Sequence, residues 1–565
     1  MHGHHSHHEG TAELPRSTDG LPEALRPATV ELQDGDECEL EIVPVKKQVG
    51  DSTVRMLAYD GSIPGPTLKV PQGATITAHV TNRGDVDATV HWHGVRLDNR
   101  FDGTHDTQAP IPVGGTFTYE VHVPDPGAYW YHPHIREDYG QEMGLYGNIL
   151  VTPSDADYWP RANRELLLTL DDLLIEDGQI AAFREDETTH VAMGRFGNVM
   201  LIGGEDDLRL EARRNEVVRF YFTNTANTRV FNVGLPGARI KLVGADAGRY
   251  EHEELVEEIL LAPSERADVD VLFPDAGSFE LEHRTPERTY RLATIDVADE
   301  QAEPLYADEF ATLRTNADMV EQRERVQSFV DAPPDKTLSF VAEMDLGVPE
   351  GAEATYVCPM HPEVTSDKPD RCPKCGMKLL PESVVAAGAA SGHEHHHGHG
   401  DHGHGDHGHG HDGHGHGHHQ HEPAADEEGG IEWEDDMVEV NRLTTPANMR
   451  WKLVDQETGA ENARIDWKFR VGDQVKLRLV NAMDSDHPMP HPFHIHGAGR
   501  FLILARDDIV EPSLAWKDTV LVRTGEVVDI LFDVSNPGLW MAHCHIAEHM
   551  QSGMMFSFTV DRAGT

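Results

Sequence analysis

The sequence predicts an all-β protein assembled from three β-sandwiches, and three observations carry that expectation. Short runs rich in Val, Ile, Thr and Phe alternate polar with apolar residues, as in ELEIVPV (39–45) and TITAHV (75–80), the period-2 signature of half-buried strands. Gly and Pro punctuate these runs at the short intervals of a sandwich. The chain, at 565 residues, is too long for one core and long enough for two to four domains.

Taken in order, residues 1–27 are a His-rich N-terminal tail, with five histidines in the first ten residues. The pattern fits an affinity tag or a native metal-collecting tail, and its echo in mid-chain favours the second. Residues 28–155 carry the strands of a first sandwich, among them PTLKVPQG, GTFTYEVHV and GNILVTP, and show no convincing helical periodicity. Residues 160–300 carry a second set, ELLLTLDD, EVVRFYFTNT, ADVDVLFP and YRLATIDVA among them. Almost free of His and Cys, this domain is expected to act as a spacer between its neighbours. A polar, helix-compatible linker follows at 301–335. The third sandwich opens at 336–348 with TLSFVAEMDLG and resumes at 429–565.

Two unusual stretches interrupt it. Residues 352–382 hold Cys358, His361, Cys372 and Cys375, with Met360 and Met377 alongside, a donor set for Cu(I) or a structural zinc. Residues 383–428 repeat Gly-His and Asp-His from His393 to His421. So much Gly cannot pack a core, so this segment is expected to be disordered without metal and to bind metal through neutral imidazoles.

Charge narrows the function. Lys plus Arg number 47 against 98 Asp plus Glu, a formal charge of −51, which argues against nucleic acid and anionic membrane as partners. The acid is spread through every domain, as on a salt-adapted, halophile-type surface. No run reaches the roughly 20 apolar residues of a membrane span. No export signal is visible, which reads as cytoplasmic, or as exported with the signal already removed. The five cysteines are too few for a disulfide framework and are spaced as metal ligands, with Cys38 left over as a plain strand residue.

The chemistry lies in four His-rich motifs. His91-Trp92-His93-Gly94 and His132-Pro133-His134 fall in the first sandwich; His491-Pro492-Phe493-His494-Ile495-His496-Gly497 and His543-Cys544-His545 fall in the third. On a strand, the two histidines of a His-x-His pair share one face. His543 and His545 therefore face one way and Cys544 the other, so one tripeptide can serve metal on both sides. Cys544, with His549 five residues on and Met554 ten on, supplies a thiolate, an imidazole and a weak thioether, most of a blue-copper site.

HWHG, HPH, HPFHIHG and HCHIAEHMQSGMM, in that order, resemble the four copper motifs of three-domain multicopper oxidases, a family that includes laccases and copper-efflux cuprous oxidases. Residues 352–382 resemble a small heavy-metal-binding module. The resemblance implies three cupredoxin-like Greek-key β-sandwiches and four copper ions. It places type 1 copper on His491, Cys544, His549 and Met554, type 2 copper on His91 and His494, and the type 3 pair on His93, His132, His134, His496, His543 and His545. Cys544 would pass electrons through His543 and His545 to the cluster, where dioxygen is reduced to water. Asp102, in Phe101-Asp102-Gly103, looks like the family's acidic residue near the type 2 copper; it also reads as a turn Asp before Gly. The family often has Glu directly after the histidine matching His549, where this chain has Met550.

In the copper-efflux oxidases an insertion lies at a similar place, and a methionine matching Met489 contacts substrate Cu(I). Met489, with His487, is therefore the expected substrate site, and Cu(I) the expected substrate, collected by the insertion. A laccase-like oxidase of phenols and aromatic amines is the alternative, and a copper-buffering protein the second. The partners implied are dioxygen, Cu(I) or a small phenol, and a copper donor protein. The Cys-rich module would hold additional Cu(I) or zinc.

Overall fold

A computed structural model describes residues 13–345, 355–391 and 429–564. The expected His-rich tail lies largely outside these residues, and so does nearly all of the Gly-His segment. Three pairs of packed sheets make up the molecule. The first joins a five-stranded and a four-stranded sheet, the second a six- and a five-stranded sheet, the third again a six- and a five-stranded sheet. Strand neighbours are often distant in sequence: Glu37–Val49 runs parallel to Thr75–Asn82, and Thr67–Pro71 parallel to Gly147–Thr152. These crossovers close the sheets over three large apolar cores.

The alternation read from sequence becomes burial. Thr75–Asn82 alternates half-buried and buried residues along its whole length, one face in the core and one toward solvent. The strands that carry the motifs behave differently. His91–His93, Gly127–His132 and His491–Ile495 are buried at every residue, because their second face meets another domain.

The insertion leaves the third sandwich at a sheet hairpin. Lys336–Met344 pairs antiparallel with Met449–Asp455, and Met344 lies opposite Met449, so the sheet closes beneath the excursion. The Cys-rich residues form their own three-stranded sheet from Tyr356–Val357, Thr365–Ser366 and Leu380–Pro381. Between the second and third sandwiches the chain forms helices at Ala307–Phe310 and Ala317–Val330.

One expectation for the first sandwich fails. Glu137–Glu142 is a helix, and all six of its residues are buried. It is covered on all sides, so it carries no amphipathic stripe for periodicity to detect. Among the described residues, no helix is long and apolar enough to cross a membrane.

Candidate metal centre

Sheet register brings the motifs together. His91 pairs opposite His132 in the first sandwich, and His494 opposite His543 in the third. The two sandwiches meet face to face across these strands. The His93 and His494 rings stack at 3.8 Å, those of His91 and His496 lie 4.0 Å apart, and His134 Nε2 is 3.5 Å from His543 Nε2. His91, His93, His132, His134, His494, His496, His543 and His545 form one buried cluster. Triplets within it with donor atoms inside 4.8 Å include His91, His93 and His494; His93, His132 and His545; and His134, His496 and His543.

The rings are oriented from behind. His91 Nδ1 donates to the Asp102 carbonyl at 2.7 Å, His132 Nδ1 to the Pro133 carbonyl at 2.9 Å, His494 Nδ1 to the Asp518 carbonyl at 2.9 Å and His543 Nδ1 to the Cys544 carbonyl at 2.8 Å. A donor at Nδ1 fixes the tautomer and leaves the Nε2 lone pair free. Nε2 of His91, His132 and His494 accordingly has no hydrogen-bond partner among the described residues, nor does either nitrogen of His545. Buried polar atoms are seldom left unpaired without a reason. Burial, then repulsion among neighbouring rings, holds His93, His132, His134, His494 and His496 well below the ordinary imidazole range; His543 falls to about 4. Neutral, desolvated imidazoles with converging lone pairs are what soft or borderline cations bind.

Asp102 is fully buried, and its carboxylate accepts from His496 Nδ1 at 2.9 Å. The turn reading holds as well: Gly103 has φ +81°, and a Cβ there would meet the Val90 carbonyl oxygen at 1.9 Å. Two acidic residues of this shell were not assigned from sequence. Asp518 receives His93 Nε2 at 3.0 Å and is itself gripped by Arg266 of the second sandwich, whose Nη1 lies 2.7 Å away. Glu137 is fully buried, with a carboxylate oxygen 3.6 Å from both His132 Nδ1 and His545 Nδ1. Asp518, in Trp516-Lys517-Asp518-Thr519, lies in none of the four motifs; Glu137, five residues after His132, had only its proximity. Met550 is buried, and the acid nearest it in sequence, Glu548, is pushed up to about 7 by burial while Asn227 and Thr228 donate to it.

On the other face of the same strand lies the second site. Cys544 Sγ is 3.4 Å from His491 Nδ1 and 3.8 Å from His549 Nδ1, and all three are buried. Burial raises the Cys544 thiol and lowers His491 to about 3; removing a proton from the thiol therefore needs a cation in its place. Met554 is buried in the same apolar cluster, its carbonyl accepting from the Cys544 N–H at 3.2 Å. Trp451 stacks on His549 at 4.0 Å.

The second sandwich is more than the expected spacer. Its segment around 188–194 reaches over the Cys544 site, where the Val191 carbonyl accepts from Trp451 Nε1 at 2.6 Å and Met193 Sδ lies 3.1 Å from His487 Nε2. His487 and Met489, the expected substrate residues, are both fully buried. Met193 of the second sandwich thus joins His487 and Met489 beside the Cys544 site, adding a thioether that no motif could reveal.

The Cys-rich residues also converge. Cys358 Sγ is 3.6 Å from Cys375 Sγ and 3.7 Å from His361 Nδ1, and Cys372 Sγ is 3.6 Å from His361 Nδ1. Contact with Cys375, then His361, holds the Cys358 thiol down to about 5.

Sequence profiles of multicopper oxidases match residues 42–156 and 434–564. The chain is a multicopper oxidase. A heavy metal binding domain profile matches residues 355–382 of this oxidase. It is 22% identical to the multicopper oxidase mco of Staphylococcus epidermidis over 97% of this chain and 94% of that one. Multicopper oxidase MmcO of Mycobacterium tuberculosis is 29% identical over 40% of this chain and 50% of its own length. The fold matches the multicopper oxidase of Campylobacter jejuni, described as a metallo-oxidase, with TM-score 0.61 and 20% identity over 97% of this chain and 99% of the other. The protein is thus a copper-dependent oxidoreductase.

Proposed function

We propose that the protein oxidises Cu(I) to Cu(II) and delivers the electrons to dioxygen. In this reading His491, Cys544, His549 and Met554 would hold a type 1 copper. His91 and His494 would hold a type 2 copper, and His93, His132 and His545 with His134, His496 and His543 a type 3 pair. The orphaned imidazole nitrogens and the depressed basicity of the cluster support four coppers in all. Bound copper supplies one-electron acceptance at the Cys544 site and four-electron reduction of dioxygen to water at the cluster.

The chain's own residues do the remaining work. Cys544 links the two sites through its backbone: one peptide bond reaches His545, and its carbonyl accepts from His543 Nδ1 at 2.8 Å. Asp102 and Asp518, each hydrogen-bonded to a histidine that faces the cluster, hold those rings in one tautomer and exclude rotation. Four Cu(I) ions each give up one electron, and one dioxygen takes four electrons and four protons to yield two waters.

The observation that carries the choice of substrate is the cover over Cys544. A phenol needs an apolar cleft open to a histidine edge. Here His491 and His549 are buried, Met193 and Met489 share the apolar cluster of Cys544, and the buried His487 lies 3.1 Å from Met193 Sδ. Thioether and neutral imidazole suit a small soft cation. Dioxygen uptake by copper-loaded protein in high salt, with Cu(I) and with a methoxyphenol as separate donors, tests this. A clear preference for Cu(I) without peroxide is expected. Preference for the phenol would make it laccase-like, and no uptake with either donor would return the copper-buffering reading.

A further inference from the structure

A group of polar contacts ties the Cys-rich module to one loop of the oxidase. Arg371 donates to the Ser485 carbonyl and pairs with the Asp486 carboxylate at 3.3 Å. Lys378 Nζ reaches the other Asp486 oxygen at 3.1 Å and the Met344 carbonyl at 3.0 Å, while the Lys378 backbone N–H donates to the Asp486 carbonyl at 2.8 Å. Asp486 immediately precedes His487. The module is therefore fastened to the loop that carries the soft cover of the Cys544 site.

The fastening brings the two sets of donors into contact. Met377 is buried in the same apolar cluster as Met489, Met193 and Cys544. Gly376, at φ +74°, lies so close that a Cβ would sit 3.3 Å from Met483 and 3.6 Å from Pro488. Met360 and Cys375 pack against both the module's own small cluster and the core of the third sandwich. One thiol of the four-donor site thus touches the oxidase directly. Of the four donors, Cys358 and Cys372 are buried, while His361 and Cys375 are only half-buried.

Three cysteines and a histidine can also hold a structural zinc. Here two of the four donors are only half-buried, and Cys375 packs against the cluster that holds Met193, Met377 and Met489, whose thioethers are ligands for Cu(I) and poor ones for zinc. We propose that Cys358, His361, Cys372 and Cys375 form a Cu(I) store from which the ion passes, across the seam between Cys375-Gly376-Met377 and His487-Pro488-Met489, to the electron-accepting site. This rests on the cuprous-oxidase reading. The transfer is a ligand exchange: the ion stays Cu(I), thiolates release it and take back protons, and the electron leaves only on arrival. An open cleft of about 600 Å³ lies beside the seam, lined by Glu343, Asp345, Asp484 and Asp486 and by Arg371, Lys378 and Arg450.

The experiment uses the full-length, copper-loaded protein with Cu(I) buffered at low free concentration by bicinchoninate. Added Cu(I) is expected to fill one further site with thiolate luminescence, to displace zinc from it, and to lose that site in Cys372→Ser/Cys375→Ser. The undocked variant Arg371→Glu/Lys378→Glu should keep the site and its oxidation of ferrocyanide, yet oxidise buffered Cu(I) roughly tenfold more slowly, because an intramolecular donor has become a diffusing one. Zinc that Cu(I) cannot displace would overturn the proposal. So would an undocked variant that keeps the site and matches the parent on buffered Cu(I). If the parent protein oxidises ferrocyanide but not even saturating free Cu(I), the cuprous reading itself falls and takes this proposal with it.

Discussion

The chain places cysteine among histidines twice, around Cys544 and around Cys372, in opposite physical settings. Cys544 lies on a strand buried at the heart of a sandwich, its neighbours fixed by sheet register, aromatic stacking and a second domain overhead. Cys358, Cys372 and Cys375 lie on loops between two-residue strands, over an apolar cluster of a few residues. A site in a close-packed core resists rearrangement, which suits electron transfer. A site with half-buried donors and little core of its own gives up its ion readily. Rigidity and exchange are divided between two regions of one chain.

The largest effect that would break this contrast comes from Cys544→Ser. Oxidation of every donor, Cu(I) and ferrocyanide alike, is expected to fall to background with loss of the blue absorption, while the module still takes up Cu(I). Visible spectra, dioxygen uptake and Cu(I) titration of the same sample check this. Retained turnover would mean that electrons enter elsewhere.

Next in size is Asp102→Ala, which frees His496 and removes the acid buried beside His91. Loss of such an outer partner costs about 10- to 100-fold in metal affinity or activity, read as copper retained after dialysis. Arg266→Met should act in the same direction and more weakly, toward the lower end of roughly 10-fold, because the hydrogen bonds of Arg266 reach His93 only by way of Asp518. Its signature is an altered paramagnetic spectrum of the cluster copper with an unchanged blue absorption. If both variants leave the cluster unaltered, strand register alone positions these rings.

These residues also show what the sequence made legible. His-x-His on a strand is a local pattern with a fixed geometric meaning, so the eight clustered histidines and the two faces around Cys544 could be read directly. Asp102 was readable only through the family resemblance, and it read equally as a turn Asp before Gly. Asp518, Arg266 and Met193 were not, since each owes its place to contacts more than 200 residues away in the chain. The helix at Glu137–Glu142 was hidden for a related reason: buried on every face, it shows no period. The docking of the module depends on Arg371 and Lys378 meeting Asp486, three surface-type residues that carry no signal until the fold is known.

The smallest effect separates the two regions by pH. Glu142 is buried in the helix that packs against the segment after Cys544, and accepts from the Leu174 N–H at 3.0 Å. Burial pushes its carboxyl from 4.5 up to about 8, against the pull of Arg195. A carboxyl raised in the folded state stabilises it fully below its unfolded value; that contribution is lost progressively as pH rises from 4.5 and is gone above about 8. At about 1.4 kcal/mol per unit, the loss amounts to a few kcal/mol at most in a body this large. The oxidase body should therefore melt lower at pH 9 than at pH 6, and Glu142→Gln should flatten that slope. The module must run the other way, because its thiolates take up protons and release metal as pH falls. Melting curves and metal retention measured on one sample across pH 5 to 9 would show the two trends crossing. A shared direction would mean that the two regions are not physically independent.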